Sequence, residues 1–210
     1  MAVATDFSTR LRERTATDHR QAEHSALMAA IMAGTVSARD YVAMLRQLEV
    51  VYAALEWSSR RHSSDPAYTD LFDQRLERTA AIRQDITRFS DSNALPPVGQ
   101  TAHAYARRIE AIADQPHLVL AHHYTRHLGD LSGGVVLGAR VSAALKCPTD
   151  LPPAFFDSSH LGPLGAYKRN YRMHLDDLRL TTDQESALVA EVHVAYGFNT
   201  QVFDEVELSK

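Results

Sequence analysis

Apolar residues recur every third or fourth position along most of this chain, and the apolar–polar alternation of half-buried strands is nearly absent. Tyr41, Met44, Leu45, Leu48, Val51, Tyr52 and Leu55 fall on one helical stripe. Leu76, Ile82, Ile86 and Phe89 make a second stripe, and Leu188, Val192, Tyr196 and Phe203 a third. The pattern predicts an all-α fold. A first helix is expected from Asp6 or Ser8 to about Met32, ended by Gly34. A second runs from a capping box at Ser37 and Asp40 to about Ser59. Further helices are predicted over about 75–89, 101–113, 116–145 and 166–178, with a last one opened by a Thr182–Glu185 capping box. Pro66 predicts a short turn toward Phe72, and 91–99 and 148–165 read as loops. No repeat, low-complexity tract or long linker divides the sequence. The expectation is one compact domain over residues 1–210, with about seven or eight helices.

The helix over 116–145 carries an anomaly. Leu118, Val119, Leu120 and Ala121 precede it and Val135, Val136, Leu137 and Val141 follow, yet Gly129, Gly133 and Gly134 stand between them. Each glycine inside a helix costs about 1 kcal/mol relative to alanine. Such a cluster serves either a close crossing of two helices or a flat ligand laid against bare backbone, with Asp130 pointing at it.

Composition bounds the function. With 210 residues, 45% of them hydrophobic and 23% charged, the chain can bury a sizeable core. A net charge of −4 and the lack of a basic stripe argue against nucleic acid. Cys147 is the one cysteine, which excludes an internal disulfide and fits a reducing cytoplasm. Met1–Asp6 lacks a signal pattern, no apolar run reaches the roughly 18 residues of a span, and Glu207–Lys210 carries no anchor. A soluble, cytoplasmic protein is expected.

Three groups of residues carry candidate chemistry. His19 and Glu23 lie one turn apart, so an imidazole could ligate a metal while a carboxylate takes its second N–H. His123 and His127 share the spacing of two zinc ligands, but no third ligand or Glu-x-x-His pair accompanies them. Arg12, Lys168 and Arg172, with Tyr167 and Tyr171 beside them, could receive two carboxylates. An imidazole, a glycine-relaxed helix with one aspartate and a cationic edge together describe a slot for a flat, metal-bearing dicarboxylate such as haem.

The run Tyr124-Thr125-Arg126-His127-Leu128-Gly129-Asp130-Leu131-Ser132-Gly133-Gly134 resembles the distal-helix signature of haem oxygenases. His19-Arg20-Gln21-Ala22-Glu23-His24 resembles their proximal helix, and Phe198–Phe203 matches in character. The resemblance spans nearly the whole chain and is greatest to soluble bacterial members. It implies haem b (iron protoporphyrin IX) as both substrate and cofactor, sandwiched between proximal and distal helices. It further implies O2, and an electron donor such as a ferredoxin or an NAD(P)H-dependent reductase. The products would be biliverdin, CO and free iron.

By the same resemblance His19 would ligate the iron as a neutral imidazole, with Glu23 accepting its Nδ1–H. Asp130 would anchor a distal water network, and Gly129 and Gly133 would let the backbone close over the ring. Arg12, Tyr124, Lys168 and Arg172 would hold the propionates. The family often has lysine where Arg12 stands, which keeps the charge and changes the geometry. His127 receives no role. The alternatives are a haem storage or sensor protein that does not turn haem over, and a similar helical fold with a thiamine-degrading type of reaction. The latter needs a pocket nucleophile, and Cys147 stands at a helix end, a poor place for one.

Overall fold

The computed structural model describes residues 6–22, 24–90 and 95–209. Ten α-helices, three short 3-10 turns and one π-helical turn make up the described regular structure, with no strand among the described residues. The all-α expectation holds, with more helices than the seven or eight predicted.

The surplus arises at the start of the chain. The single helix expected there is three: α1 (Phe7–Arg14), α2 (Ala16–Ala22) and α3 (Ala26–Ala33). Thr15 ends α1 while its hydroxyl donates to the Leu11 carbonyl at 2.9 Å, a local bond that competes with the helix. Ser25 then starts α3 by accepting from the Met28 N–H, and Gly34 closes it in the left-handed region at φ 72°.

α4 (Ala38–Arg60) is the central element, and its Ser37–Asp40 capping box is formed as predicted. It buries residues on every side, Tyr41, Leu45, Tyr52 and Leu55 among them, because α5 (Thr79–Phe89), α6 (Gln100–Ala111) and α7 (Pro116–His123) all pack on it. The helix expected from Arg75 begins instead at Thr79. A 3-10 turn over Gln74–Leu76 precedes it, capped by Asp73, whose carboxylate accepts from the Arg75 N–H.

The long helix expected over 116–145 is continuous but not uniform. α7 passes into a π-helical turn, Tyr124–Leu128, and then into α8 (Gly129–Ala144). Such turns bend a helix and swing its side chains out of the regular register. α9 (Leu164–Asp177) packs on α1, where Asp176 accepts from both the Ser8 N–H and hydroxyl. α10 (Thr182–Asp204) packs on α2, α6 and α7. Its capping box is Thr181–Gln184, one residue before the predicted Thr182–Glu185 pair, which leaves Glu185 to bind Arg10 at 2.7 Å.

Two apolar clusters form the core. One gathers Leu11, Leu55, Tyr105, Val119 and Val192; the other gathers Leu27, Ile31, Met44, Leu48, Ile82 and Phe155. The second is anchored by the fully buried Asp85, which accepts from the Tyr41 hydroxyl at 2.8 Å and from the Ala154 and Phe155 N–H groups, both at 2.9 Å. That anchor fixes the 3-10 turn carrying Phe155 and Phe156 beneath α8.

Candidate functional site

An open cleft lies between α2 and α8. His19 and Ala22 stand on its α2 wall, and Gly129, Asp130, Gly133 and Gly134 on its α8 wall. Met28, Met44, Leu48, Phe155 and Phe156 supply an apolar floor, and Tyr196 of α10 reaches in with its ring centroid 5.9 Å from that of His19. α2 has no buried residue of its own, so this wall is held by packing on α10 and by the Asp18–His193 contact at 2.9 Å. Glu23 lies outside the described residues.

The glycines resolve the choice between crossing and ligand surface. A Cβ built on Gly129 would meet nothing within 4 Å, and one on Gly133 only Leu137 at 3.8 Å. Their bare backbone fronts open space in the cleft. Gly138, one turn on, is the crossing glycine: a Cβ there would stand 2.7 Å from Phe156 Cβ. None of these glycines has positive φ, so it is the missing side chain that is used.

Asp130 is the polar centre of the α8 wall. The Tyr52 hydroxyl donates to its carboxylate, and Arg126, one turn before, stands 3.5 Å from it. Arg126 also donates to the Tyr52 oxygen at 3.2 and 3.3 Å and to the Asn199 side-chain oxygen at 3.1 Å. Burial pushes the Asp130 carboxyl above the usual carboxylate range, against the pull of Arg126 and Tyr52. Burial likewise drives the Tyr52 hydroxyl well up, so it stays a donor. Arg126 remains charged: burial opposes its charge, and Tyr52 and Asp130 more than offset this. The result is a carboxyl that faces the cleft, gains a proton more readily than a surface aspartate, and cannot swing away.

The four residues expected at a basic edge do not line the cleft itself. Tyr124 is buried, and its hydroxyl is held up by burial, with Arg172 and Arg12 pulling it down from α9 and α1. The two guanidinium groups thus act on Tyr124 electrostatically from two other elements. Lys168 approaches the Leu131 carbonyl at 3.4 Å, just past Asp130. The structure thus brings His19, Gly129, Asp130 and Gly133 to one cleft and Lys168 to the distal helix beside it. His123 and His127 face away from the cleft, their ring centroids 4.3 Å apart. Neither they nor any other described His, Cys, Asp or Glu group makes a metal cluster of three.

Tyr52, Arg126 and Asn199 were not singled out by the sequence. Tyr52 reads as one more apolar position of α4. Arg126, an arginine four residues before Asp130 in an apolar helix, was a signal that could have been used.

Comparison with known proteins gives one answer. The family model for heme oxygenase matches residues 5–205. A heme oxygenase 1 from Nostoc is 30% identical, the match covering 98% of this chain and 87% of that protein. A heme oxygenase 1 from Gallus gallus is 32% identical over 98% of this chain and 71% of that one. A heme oxygenase structure from Leptospira interrogans superposes with a TM-score of 0.88 at 29% identity, over 96% of this chain and all of that one. A Synechocystis heme oxygenase-1 in complex with heme gives 0.87 at 28% identity, over 97% and 93%. No described helix is long and apolar enough to cross a membrane.

Proposed function

The chain belongs to the haem oxygenase family, and from that premise we propose that the cleft between α2 and α8 binds haem and directs its cleavage. The reaction is the O2- and electron-dependent opening of haem at a meso carbon, giving biliverdin, CO and ferrous iron. The observation that carries this assignment is the open space in front of Gly129 and Gly133, opposite His19 and beside Asp130. It is an open slot with the bare backbone and apolar lining that a flat macrocycle needs.

Haem supplies both the iron at which O2 is activated and the ring that is opened. The protein's residues bind, orient and protonate. His19 would ligate the iron from α2, and Glu23, next in the sequence to Ala22, is assigned the imidazole N–H. Gly129 and Gly133 would let the α8 backbone lie against the macrocycle and limit which meso edge is open to attack. Asp130 delivers a proton through water, not by direct contact. Its raised proton affinity and its tether to Tyr52 and Arg126 suit it to hold that proton in place. Arg12, Lys168 and Arg172, with the Tyr124 hydroxyl, receive the two propionates, and so decide which edge of the ring is presented. Electrons come from a separate donor, a ferredoxin or an NAD(P)H-dependent reductase. A reducing cytoplasm is the compartment this scheme fits, with Cys147 free.

The test is an aerobic absorbance time course of the protein loaded with haemin and given ascorbate. A Soret band that fades as biliverdin grows is expected. A Soret band that persists with ascorbate and also with a ferredoxin–reductase pair would make the protein a haem carrier.

A further inference from the structure

The helix that carries His19 is weakly anchored, and its sequence shows why. Thr15, Asp18 and Ala22 are spaced three and four apart and make one stripe. Thr15 is buried just before α2, and its carbonyl accepts from the His19 N–H at 3.1 Å. Ala22, at the far end, packs on the core. The middle position, where an amphipathic helix would set a large apolar side chain, holds the carboxylate of Asp18. No residue of α2 is buried as a result.

Asp18 instead meets α10. Its carboxylate lies 2.9 Å from His193 Nδ1, both side chains partly exposed. An ionised carboxylate only accepts, so Nδ1 carries the hydrogen. Three residues on, on the same side of α10, the buried Tyr196 presents its ring to His19. The two ring centroids are 5.9 Å apart and the planes cross at 69°. Two residues of α10, one turn apart, thus hold two successive residues of α2.

Successive side chains of an α-helix point about 100° apart around its axis. Asp18 fixed on His193 therefore fixes where His19 points, and His19 lines the cleft. A rotation of α2 that released Asp18 would carry the imidazole with it, and no buried side chain of α2 opposes that rotation. We infer that His193 is a positioning residue: through Asp18 it sets the rotation of α2, and so the direction from which the His19 imidazole enters the cleft. The proposal rests on His19 being the iron ligand.

The size of the interaction suits this role. A partly exposed pair adds little to the stability of a whole domain. On a helix without a buried side chain the same pair acts on placement, because little else there competes with it. Asp18 also stands in the first turn of α2, where a negative charge complements the helix dipole. That contribution needs no partner on α10, so substitutions at His193 separate the two roles.

The test compares His193→Ala, Asp18→Ala, the double variant and Asp18→Asn, whose amide oxygen can still accept from His193. In the ligand-free protein, amide exchange over residues 16–22 should quicken about threefold in either alanine variant while the urea midpoint stays in place. Haemin Kd should rise about threefold, and the iron–imidazole stretching band of the reduced complex should shift and broaden. The double variant should be no worse than either single one, and Asp18→Asn should recover both the Kd and the band. Unchanged exchange and an unchanged band in His193→Ala would overturn the proposal. So would losses that add in the double variant, losses that asparagine does not recover, or a fall in the urea midpoint large enough to account for the faster exchange. Failure of the His19 assignment would appear separately, as an iron–imidazole band undiminished in His19→Ala, while exchange in the ligand-free protein would still report on the Asp18–His193 pair.

Discussion

Asp130 meets Tyr52 from α4 and Arg126 from its own helix, and Arg126 is in turn pinned by Asn199 of α10. Three helices thus converge on one carboxyl. Removing that carboxyl leaves Tyr52 and Arg126 still bonded to each other, so the cleft should persist without its proton source. Asp130→Ala should bind haemin as the wild type does but yield at least tenfold less biliverdin, measured by product chromatography after a single turnover. A normal yield would remove Asp130 from the reaction. At this scale the sequence was informative where a residue broke its surroundings. An aspartate among glycines and a histidine one turn before a glutamate stand out, and both Asp130 and His19 line the cleft. Tyr52 and Asn199 do not stand out, because a tyrosine on an apolar stripe and an asparagine near a chain end have many bland uses. Their role exists only once α4 and α10 are brought together.

The helix that carries the site does three jobs along its length, and they can be separated. Gly129 fronts open space and Gly138 is pressed on Phe156. Gly129→Ala should therefore raise stability, by about 0.5–1 kcal/mol, because a helical glycine is replaced without a clash. Gly138→Ala should lower it, since Phe156 must move. Gly129→Ala should also weaken haemin binding, a loss that stability alone would not predict. Equal shifts in melting temperature for the two variants would refute the distinction. The segment before Gly129 buries His122, His123 and His127.

Burial lowers the pKa of each of these three, that of His123 to about 3. Below the ordinary value of about 6.5 the unfolded chain binds protons that the folded chain does not, so stability falls as pH falls. Each such histidine contributes a slope of up to about 1.4 kcal/mol per pH unit between 6.5 and its folded value. Urea midpoints should drop steadily from pH 7 to 5, and less steeply in His123→Leu; a flat profile would contradict burial of neutral imidazoles. The π turn that places these side chains was not legible in the sequence. Residues 124–128 have ordinary helical composition, and the bulge is set by what packs around them. The break of the first helix at Thr15 was likewise hidden, because Leu11, Thr15 and Ala22 fall on one helical face and no glycine or proline interrupts residues 7–33.

Across the whole molecule the two walls of the cleft are unequally held. The α8 wall stands on α3, on the Phe155–Phe156 turn and on the distal hydrogen bonds. The α2 wall, with no buried residue, leans on α10. A ligand ligated by His19 and covered by α8 would complete the burial of α2. Haemin at a hundred times its Kd should stabilise the fold by about 2.7 kcal/mol, and amide exchange over residues 16–22 should slow far more than over α4. Equal protection of both would mean that haemin binds elsewhere. The helical periodicity foretold the all-α layout and the capped start of α4, because those depend on spacing and local hydrogen bonds. That Arg12 and Arg172 act on Tyr124 from two other elements could be expected only by resemblance to a family.

The account stands on haem lying in this cleft with His19 on its iron. The measurement that tests this most directly is resonance Raman spectroscopy of the reduced haem complex, in the wild type and in His19→Ala. An iron–imidazole stretching band in the wild type that vanishes in His19→Ala, and returns when free imidazole is added, is the predicted result. The same band undiminished in His19→Ala would place another histidine on the iron and contradict the assignment of the cleft.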